Sequence, residues 1–303
     1  MKTVWNKDNF PNLDGQTFVI TGANSGLGLE STRNLVGAGA HVVMACRNIA
    51  KAEAAARDVR NSSPQGTVEI RELDLSSLAS IRRFSELLIT DRIAVNGLMN
   101  NAGLMALDES RTEDGFETQI GVNHFGHFAL TGLLLPVLLQ TPNSRIVNVS
   151  SMGHRPGKIH LDDLMCDRRR YSRWGAYFQS KLANLLFTAE LERRLRSAQV
   201  TTIALAAHPG TARTELGKTG SSATNVVMRR LTPVLVRTGI EGCESQVRAM
   251  IDPEATGQQF YGPRFHMFGA PKLEVPSRRA RNAEDARRLW EISEKLTGVS
   301  YLG

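Results

Sequence analysis

Cysteine is scarce: Cys46, Cys166 and Cys243 are the only three in 303 residues, and none forms a Cys-x-x-Cys pair. So few, so widely spaced, exclude a disulfide framework and offer no zinc-ribbon spacing; reduced, buried thiols in a cytoplasmic setting are expected. Aromatic residues reach only 6%, and no proline-rich or glycine/serine-rich linker divides the chain. Long apolar runs are missing as well. The longest, 128–139, is interrupted by Thr131, Gly132 and Pro136. It falls short of the ~20 residues of a membrane span and reads as a core helix. Residues 1–12 are polar around Trp5 and Phe10, without the apolar segment of a secretory leader. Neither a membrane span nor export is expected.

Charge favours the positive sign, 37 Lys+Arg against 30 Asp+Glu, a net +7. The arginines sit in short clusters (168–170, 193–194, 229–230, 278–281), never in a long basic run interleaved with aromatics. That pattern fits a solvated surface that steers anions, and no nucleic-acid partner is expected. With 41% hydrophobic and 22% charged residues, the chain is an ordinary globular one, large enough to bury a core without metal or disulfide support.

What the sequence does have is alternation. Strand-length apolar runs at 17–21, 41–46, 67–73, 94–99, 144–149 and 200–206 alternate with helical spacing at 27–38, 50–60, 76–90, 115–139 and 174–196. The strands are continuous apolar runs, the mark of strands covered on both faces. The reading is one α/β domain: a doubly wound parallel sheet of the Rossmann type, about seven strands counting a last one at 258–261, with helices on both faces. Its core spans about 14–262. A C-terminal extension, 263–303, carries a charged helix at 283–296.

Chemistry-bearing residues fall at the strand exits. After the first strand comes Gly22-Ala23-Asn24-Ser25-Gly26-Leu27-Gly28. Gly22 permits the tight exit, Gly26 lets backbone N–H groups approach a pyrophosphate at a helix N-terminus, and Gly28 lets the helix lie close to the sheet. The second strand leaves through Arg47-Asn48 with no Asp or Glu. An acidic residue there would bind the ribose 2′-OH of NAD, whereas a guanidinium suits a 2′-phosphate, which points to NADP(H) rather than NAD. Asp74-Leu75 follows the third strand; Asp74 can accept from an adenine amino group or cap the next helix, and the two roles are compatible. Asn100-Asn101-Ala102-Gly103 follows the fourth strand with residues small enough to lie under a flat ring.

Tyr177 and Lys181, at i and i+4, share one helix face, and Ser150-Ser151 closes the fifth strand. A lysine ammonium favours phenolate and so brings a tyrosine toward acid/base work near neutral pH, while a serine hydroxyl can orient a substrate oxygen. Other constellations lack the partners that chemistry would need. His124 and His127 stand at i and i+3 without an acidic or Cys partner, so helix packing is expected of them and no metal site is predicted. Ser150-Ser151-Met152-Gly153 lacks the leading glycine of a nucleophile elbow. Asp162-Asp163 reads as a turn or cap.

In order along the chain, the segments TGANSGLG, ACRN, NNAGLM, VNHFGHF, NVSS, YFQSKLANLLF and HPGTARTEL resemble the short-chain dehydrogenase/reductase family over residues 14–262. They are most similar to its retinol dehydrogenase, WW-domain oxidoreductase and protochlorophyllide reductase branch. The resemblance implies Tyr177 as proton donor or acceptor. It implies Lys181 on the nicotinamide ribose, and Ser151, the second of its pair, on the substrate oxygen. Asn123 would hold a water in the proton relay, Asn101, Ala102 and Gly103 would line the cofactor, and Pro209, Gly210 and Thr211 would wrap the nicotinamide. It departs in the loop before Tyr177, where Asp167-Arg168-Arg169-Arg170 is longer and more basic than in the retinol dehydrogenases. Substrate identity therefore does not carry over.

The expected activity is hydride transfer between NADP(H) and the carbonyl or alcohol of a lipophilic small molecule. Leu104, Met105, Met152, Trp174 and Phe178 supply an apolar border. The alternatives are reduction of an activated C=C bond and a non-catalytic NADP-binding interaction protein. The family's habit implies a homodimer or homotetramer.

Overall fold

A computed structural model describes residues 5–210 and 242–303. Eight strands form one sheet in the order β3-β2-β1-β4-β5-β6-β7-β8. These are β1 Thr17–Thr21, β2 His41–Cys46, β3 Thr67–Glu72, β4 Gly97–Asn100, β5 Arg145–Val149, β6 Ile203–Ala207, β7 Phe260–Pro263 and β8 Pro271–Leu273. All neighbours run parallel except β7 and β8, which are antiparallel. Sheet order reverses between β1 and β4, the switch point beyond whose carboxyl edge such sheets bind ligands.

Two apolar layers sandwich the strands. Phe18 and Ile20 of β1 with Val42 and Met44 of β2 face α1 (Gly26–Gly37), α2 (Ile49–Ser62) and the helix Glu244–Ile251. Val19 and Val43, pointing the other way, meet α3 (Leu78–Thr90) and a wall of Phe128, Leu134 and Phe187. Burial on both faces is why the strands show no polar alternation.

The region expected as one helix over 115–139 is in fact three pieces. Glu117 opens it by accepting the N–H groups of Gln119 and Ile120, capping the short α4, Thr118–Ile120. A π-helical segment follows at Gly121–Phe125, and only then α5, Gly126–Gln140. The 23-residue stretch is long and apolar enough to cross a membrane by composition, yet 78% of its most apolar window is buried inside the protein, as a core helix requires.

β4 and β6 begin about three residues later than expected, and the far edge of the sheet differs more. The seventh strand lies at Phe260–Pro263 and not at 258–261, and the sheet has one strand more than the seven expected. β8 is a three-residue edge strand that begins with Pro271 and exposes Lys272 and Leu273, so it carries no apolar pattern to read. Nor is the C-terminal extension an appendage. α6 (Arg173–Ser197) packs against the C-terminal helix Ala283–Thr297, whose Leu289 and Trp290 are buried. We label the helices Glu244–Ile251 and Ala283–Thr297 α7 and α8.

Candidate active site

A cleft of about 430 Å³ opens at the carboxyl edge of β1, β2 and β4. It is lined by the Gly22–Gly28 turn with Asn24, Ser25, Gly26 and Leu27, by Arg47 and Asn48, by Asp74 and Leu75, and by Asn101, Ala102 and Gly103. Every cofactor residue expected from the first four strand exits is thus in one place. A larger cavity, about 1070 Å³, lies near Phe10, Arg33 and Ser62, away from the Tyr177 face, and none of those residues belongs to the set above.

The glycines fit a dinucleotide closely. Gly22 and Gly26 take φ of +66° and +53°, in the left-handed region that favours glycine. A Cβ on Gly28 would collide with the Gly22 carbonyl and lie 2.7 Å from Asn101 Nδ2. Helix α1 starts at Gly26 with no side-chain cap from Ser25, so its first N–H groups face the cleft for a phosphate. A Cβ on Gly103 would stand 3.3 Å from both Lys181 Nζ and Asn123 Oδ1, which leaves a cradle for a hydroxyl-bearing group beside the lysine. These observations fit a nicotinamide dinucleotide.

Secondary roles sort the remaining cleft residues. Asn48 caps α2 by accepting the Lys51 N–H at 2.8 Å, leaving Arg47 exposed at the rim. Asp74 Oδ1 accepts both the N–H and the hydroxyl of Ser76, at 2.8 and 2.6 Å, so its turn role is realised while it lines the cleft. Asn101 is committed to the scaffold: its Nδ2 donates to the Thr21 carbonyl at 2.8 Å, and its Oδ1 accepts from Gln246 at 3.0 Å. Its contribution to the cleft is backbone and shape.

Tyr177 and Lys181 leave α6 side by side, both buried, with Nζ 6.0 Å from the phenol ring centroid. The two serines separate cleanly. Ser150 Oγ donates to the Lys181 carbonyl at 2.7 Å and so anchors α6 to the strand. Ser151 accepts the Gly153 N–H at 3.1 Å and hydrogen-bonds Tyr177. Burial pushes the Tyr177 phenol above its ordinary value, and the Ser151 bond offsets part of that rise. Burial also pulls Lys181 down to about 8. Its Nζ donates to the Val149 carbonyl at 3.1 Å.

Asn123 sits in the π segment with its amide fully used. Oδ1 accepts the Leu104 N–H at 2.7 Å, and Nδ2 donates to the Leu104 carbonyl at 2.9 Å and to Ser180 Oγ at 2.8 Å. The Asn123 carbonyl lies 3.1 Å from His127 Nδ1, which must therefore carry the proton, since a carbonyl only accepts. His127 Nε2 then accepts from the Thr21 hydroxyl at 2.9 Å, and Thr21 Oγ1 accepts the N–H groups of Asn101 and Ala102. Burial keeps His127 neutral, with a pKa of about 4, as this tautomer requires. The sequence alone gives His127 only a packing role and Thr21 only its place at the head of the glycine turn; their spacing of 106 residues gives no local signal of the bond between them.

His124 meets Ser293 Oγ at 2.9 Å, and no group of metal-ligating residues occurs among the described residues. Asp163 accepts the N–H groups of Asp167, Arg168 and Arg169, the turn role expected of it. Pro209 and Gly210 follow β6, Gly210 at φ +70°. Thr211 lies outside the described residues.

Residues 16–225 match the family described as short chain dehydrogenase. This chain belongs to it. Human retinol dehydrogenase 12 is 43% identical over 289 residues, 95% of this chain and 88% of that protein. Human retinol dehydrogenase 13 is 42% identical over 294 residues, covering 95% and 86%. A crystal structure of an uncharacterised protein from Mycobacterium paratuberculosis superimposes with a TM-score of 0.83 at 46% identity, covering 99% of each chain. A short chain dehydrogenase from Shigella flexneri complexed with NADP shares the fold at TM-score 0.64 and 21% identity, covering 82% of this chain and 97% of that one. As a short chain dehydrogenase of the retinol dehydrogenase branch, the protein is an oxidoreductase of alcohol and carbonyl groups that uses a nicotinamide dinucleotide.

Proposed function

We propose that this enzyme uses NADP(H) and acts on a lipophilic carbonyl or alcohol, with Tyr177 as its acid/base. Tyr177, hydrogen-bonded to Ser151 and flanked by buried Lys181, is the observation that carries this reading. In reduction Tyr177 gives its phenolic proton to the substrate oxygen as the carbonyl carbon receives hydride; in oxidation it takes the alcohol proton. NADPH, when bound, supplies that hydride. Ser151 holds the substrate oxygen against the phenol, and the Lys181 ammonium stabilises the phenolate left behind. With the Asn123 amide saturated by Leu104 and Ser180, a relay water at this residue would sit on its main-chain carbonyl, on the lone pair that the His127 Nδ1–H does not use.

Arg47 supports NADP(H) over NAD. It is exposed at the cleft rim, and among the described residues no carboxylate pairs with it, so its guanidinium is open to a 2′-phosphate. Apolar character on the substrate side comes from Trp174, whose ring meets Tyr177 edge-on at 6.1 Å and Phe178 at 5.7 Å.

Fluorescence titration with NADPH and NADH tests the cofactor. We expect NADPH to bind at least ~10-fold tighter, with the preference lost in Arg47→Ala, since a charge-assisted hydrogen bond contributes about 1.5–3 kcal/mol. Tyr177→Phe should bind NADPH as wild type does and turn over lipophilic aldehydes ~100-fold or more slowly. Equal binding of the two nucleotides, or a fully active Tyr177→Phe, would overturn the assignment.

A further inference from the structure

A buried charged cluster joins the C-terminal extension to the catalytic edge of the sheet. Glu274, just past β8, exposes only 1% of its side chain, and the side chain of His208, at the exit of β6, is fully buried. His208 Nε2 faces Glu274 Oε1 at 3.4 Å, and among the described residues neither atom has a closer hydrogen-bond partner that would draw it away from the other. The far oxygen, Oε2, meets His266 Nδ1 at 2.9 Å and Arg155 at 3.5 Å. Burial alone would raise this carboxyl; His208 and His266 outweigh burial and hold it at about 2, so it is ionised.

The room for the pair is built into the sheet. A Cβ on Gly262 would collide with His208 Nε2 and lie 2.7 Å from Glu274 Oε1. Phe260 stacks beneath, 5.2 Å from the His208 ring and 5.5 Å from that of His154, whose Nδ1 donates to the Ser151 carbonyl. The cluster therefore abuts both the Ser151 turn and the β6 exit.

His208 has a task on its other side. The Gly210 N–H donates to His208 Nδ1 at 3.1 Å. That bond needs Nδ1 unprotonated, so the ring proton must sit on Nε2, where Glu274 is the facing acceptor. Gly210 is also pressed against the β7–β8 hairpin: a Cβ there would lie 2.6 Å from the Met267 carbonyl.

We propose that Glu274 is a positioning residue for the cofactor turn: it fixes the His208 tautomer, and His208 in turn holds Gly210 in its left-handed conformation. The proposal rests on the reading above that Pro209 and Gly210 flank the nicotinamide. No ring atom of His208 and no oxygen of Glu274 takes part in the reaction. Both act through the shape of the turn.

Glu274→Gln is the decisive variant, because its shape is that of glutamate. Both Glu274 oxygens face ring nitrogens, Oε1 that of His208 and Oε2 that of His266, so an amide must set its NH₂ against one of them. We expect the KM for NADPH to rise ~5-fold or more in Glu274→Gln while kcat changes less than twofold. A purely structural carboxylate would lower Tm and leave the KM-against-kcat ratio alone, and that result overturns the proposal.

His208→Asn provides the second arm. Its Oδ1 stands near the place of Nδ1 and accepts from Gly210 with no tautomer to fix. In that background Glu274→Gln should raise the KM for NADPH no further; a further ~5-fold rise would show that Glu274 does not act through His208. Should wild-type protein bind no NADPH, the proposed function fails, and this inference with it. A wild type that binds and turns over, beside an unaffected Glu274→Gln, sinks the inference alone.

Discussion

Lys181→Met should make the cofactor-free protein more stable at neutral pH while abolishing its turnover. Lys181 is buried, and among the described residues its ammonium has one protein acceptor, the Val149 carbonyl. Burial lowers it from 10.5 to about 8. At about 1.4 kcal/mol per pH unit, that difference corresponds to about 3 kcal/mol of destabilisation carried by the charged form. The sign follows from proton counts. Between pH 8 and 10.5 the unfolded chain holds a proton on this lysine that the folded chain has released, so its contribution becomes less unfavourable as pH rises. Below pH 8 the full cost is present. Methionine fills much of the same volume, and the Val149 carbonyl keeps a donor, Asn184 Nδ2 at 3.1 Å, so no orphan acceptor is created. Urea unfolding of both proteins from pH 7 to 10.5 measures the effect. Other buried groups add to the pH dependence there, among them Tyr261 and Cys243, which burial pushes up to about 12 in the fold while the unfolded chain releases their protons at lower pH, but the two proteins share them and the difference isolates residue 181. We expect the variant to exceed wild type by up to about 3 kcal/mol at pH 7 and the gap to close by pH 10.5. A gap that does not change with pH, or a variant less stable at pH 7, refutes the reasoning. A lysine that costs stability where it stands is the signature of a group kept for chemistry.

Two further outcomes follow from the same geometry. Gly28→Ala forces a methyl into the Gly22 carbonyl and toward Asn101 Nδ2, so it should cost about 1–3 kcal/mol and weaken NADPH binding; unchanged urea midpoint and affinity would contradict the close approach. His124 is held neutral by burial, with a pKa of about 3, so between pH 6.5 and 3 the unfolded chain binds a proton the folded one refuses. Stability should therefore fall as pH drops through that window, by about 1.4 kcal/mol per unit for this residue, and His124→Gln should show a shallower slope in melts from pH 4 to 7; parallel slopes would exclude the assignment.

The sheet and the residues that line the cleft were legible because they rest on local signals. Strands buried on both faces announce themselves as short apolar runs, and the Gly22–Gly28 turn and the Tyr177–Lys181 face each lie within eight residues. What escaped depends on contacts distant in sequence. Thr21 reaches His127 across 106 residues, and Gln246 reaches Asn101 across 145. β8 escaped for a different reason: an antiparallel edge strand of three residues is set by its partner's register, Tyr261 opposite Leu273, and not by its own periodicity. The choice between Ser150 and Ser151 shows the two kinds of information meeting. Adjacent residues on a strand point to opposite faces, so one of them had to anchor and the other to face the site, but only the position of α6 decides which.

The π segment at Gly121–Phe125 is the one place where a strong local pattern misled, and its consequences run into the site. A regular α-helix through 115–139 satisfies the apolar spacing, but it winds each turn tighter than the observed segment does. Such single-turn widenings recur at functional sites. Here the widened turn carries Asn123, whose amide clamps both backbone groups of Leu104 at the mouth of the cleft, and whose carbonyl stays within reach of His127. From His127 the chain of bonds continues through Thr21 to the N–H groups of Asn101 and Ala102. One irregular turn thus couples Leu104 to the exits of β1 and β4, which line the cleft. Because His127 is neutral with its proton on Nδ1, its Nε2 is left as the acceptor that faces the Thr21 hydroxyl. The regularity lost in the helix is recovered as a network of bonds that ties the two sides of the cleft together.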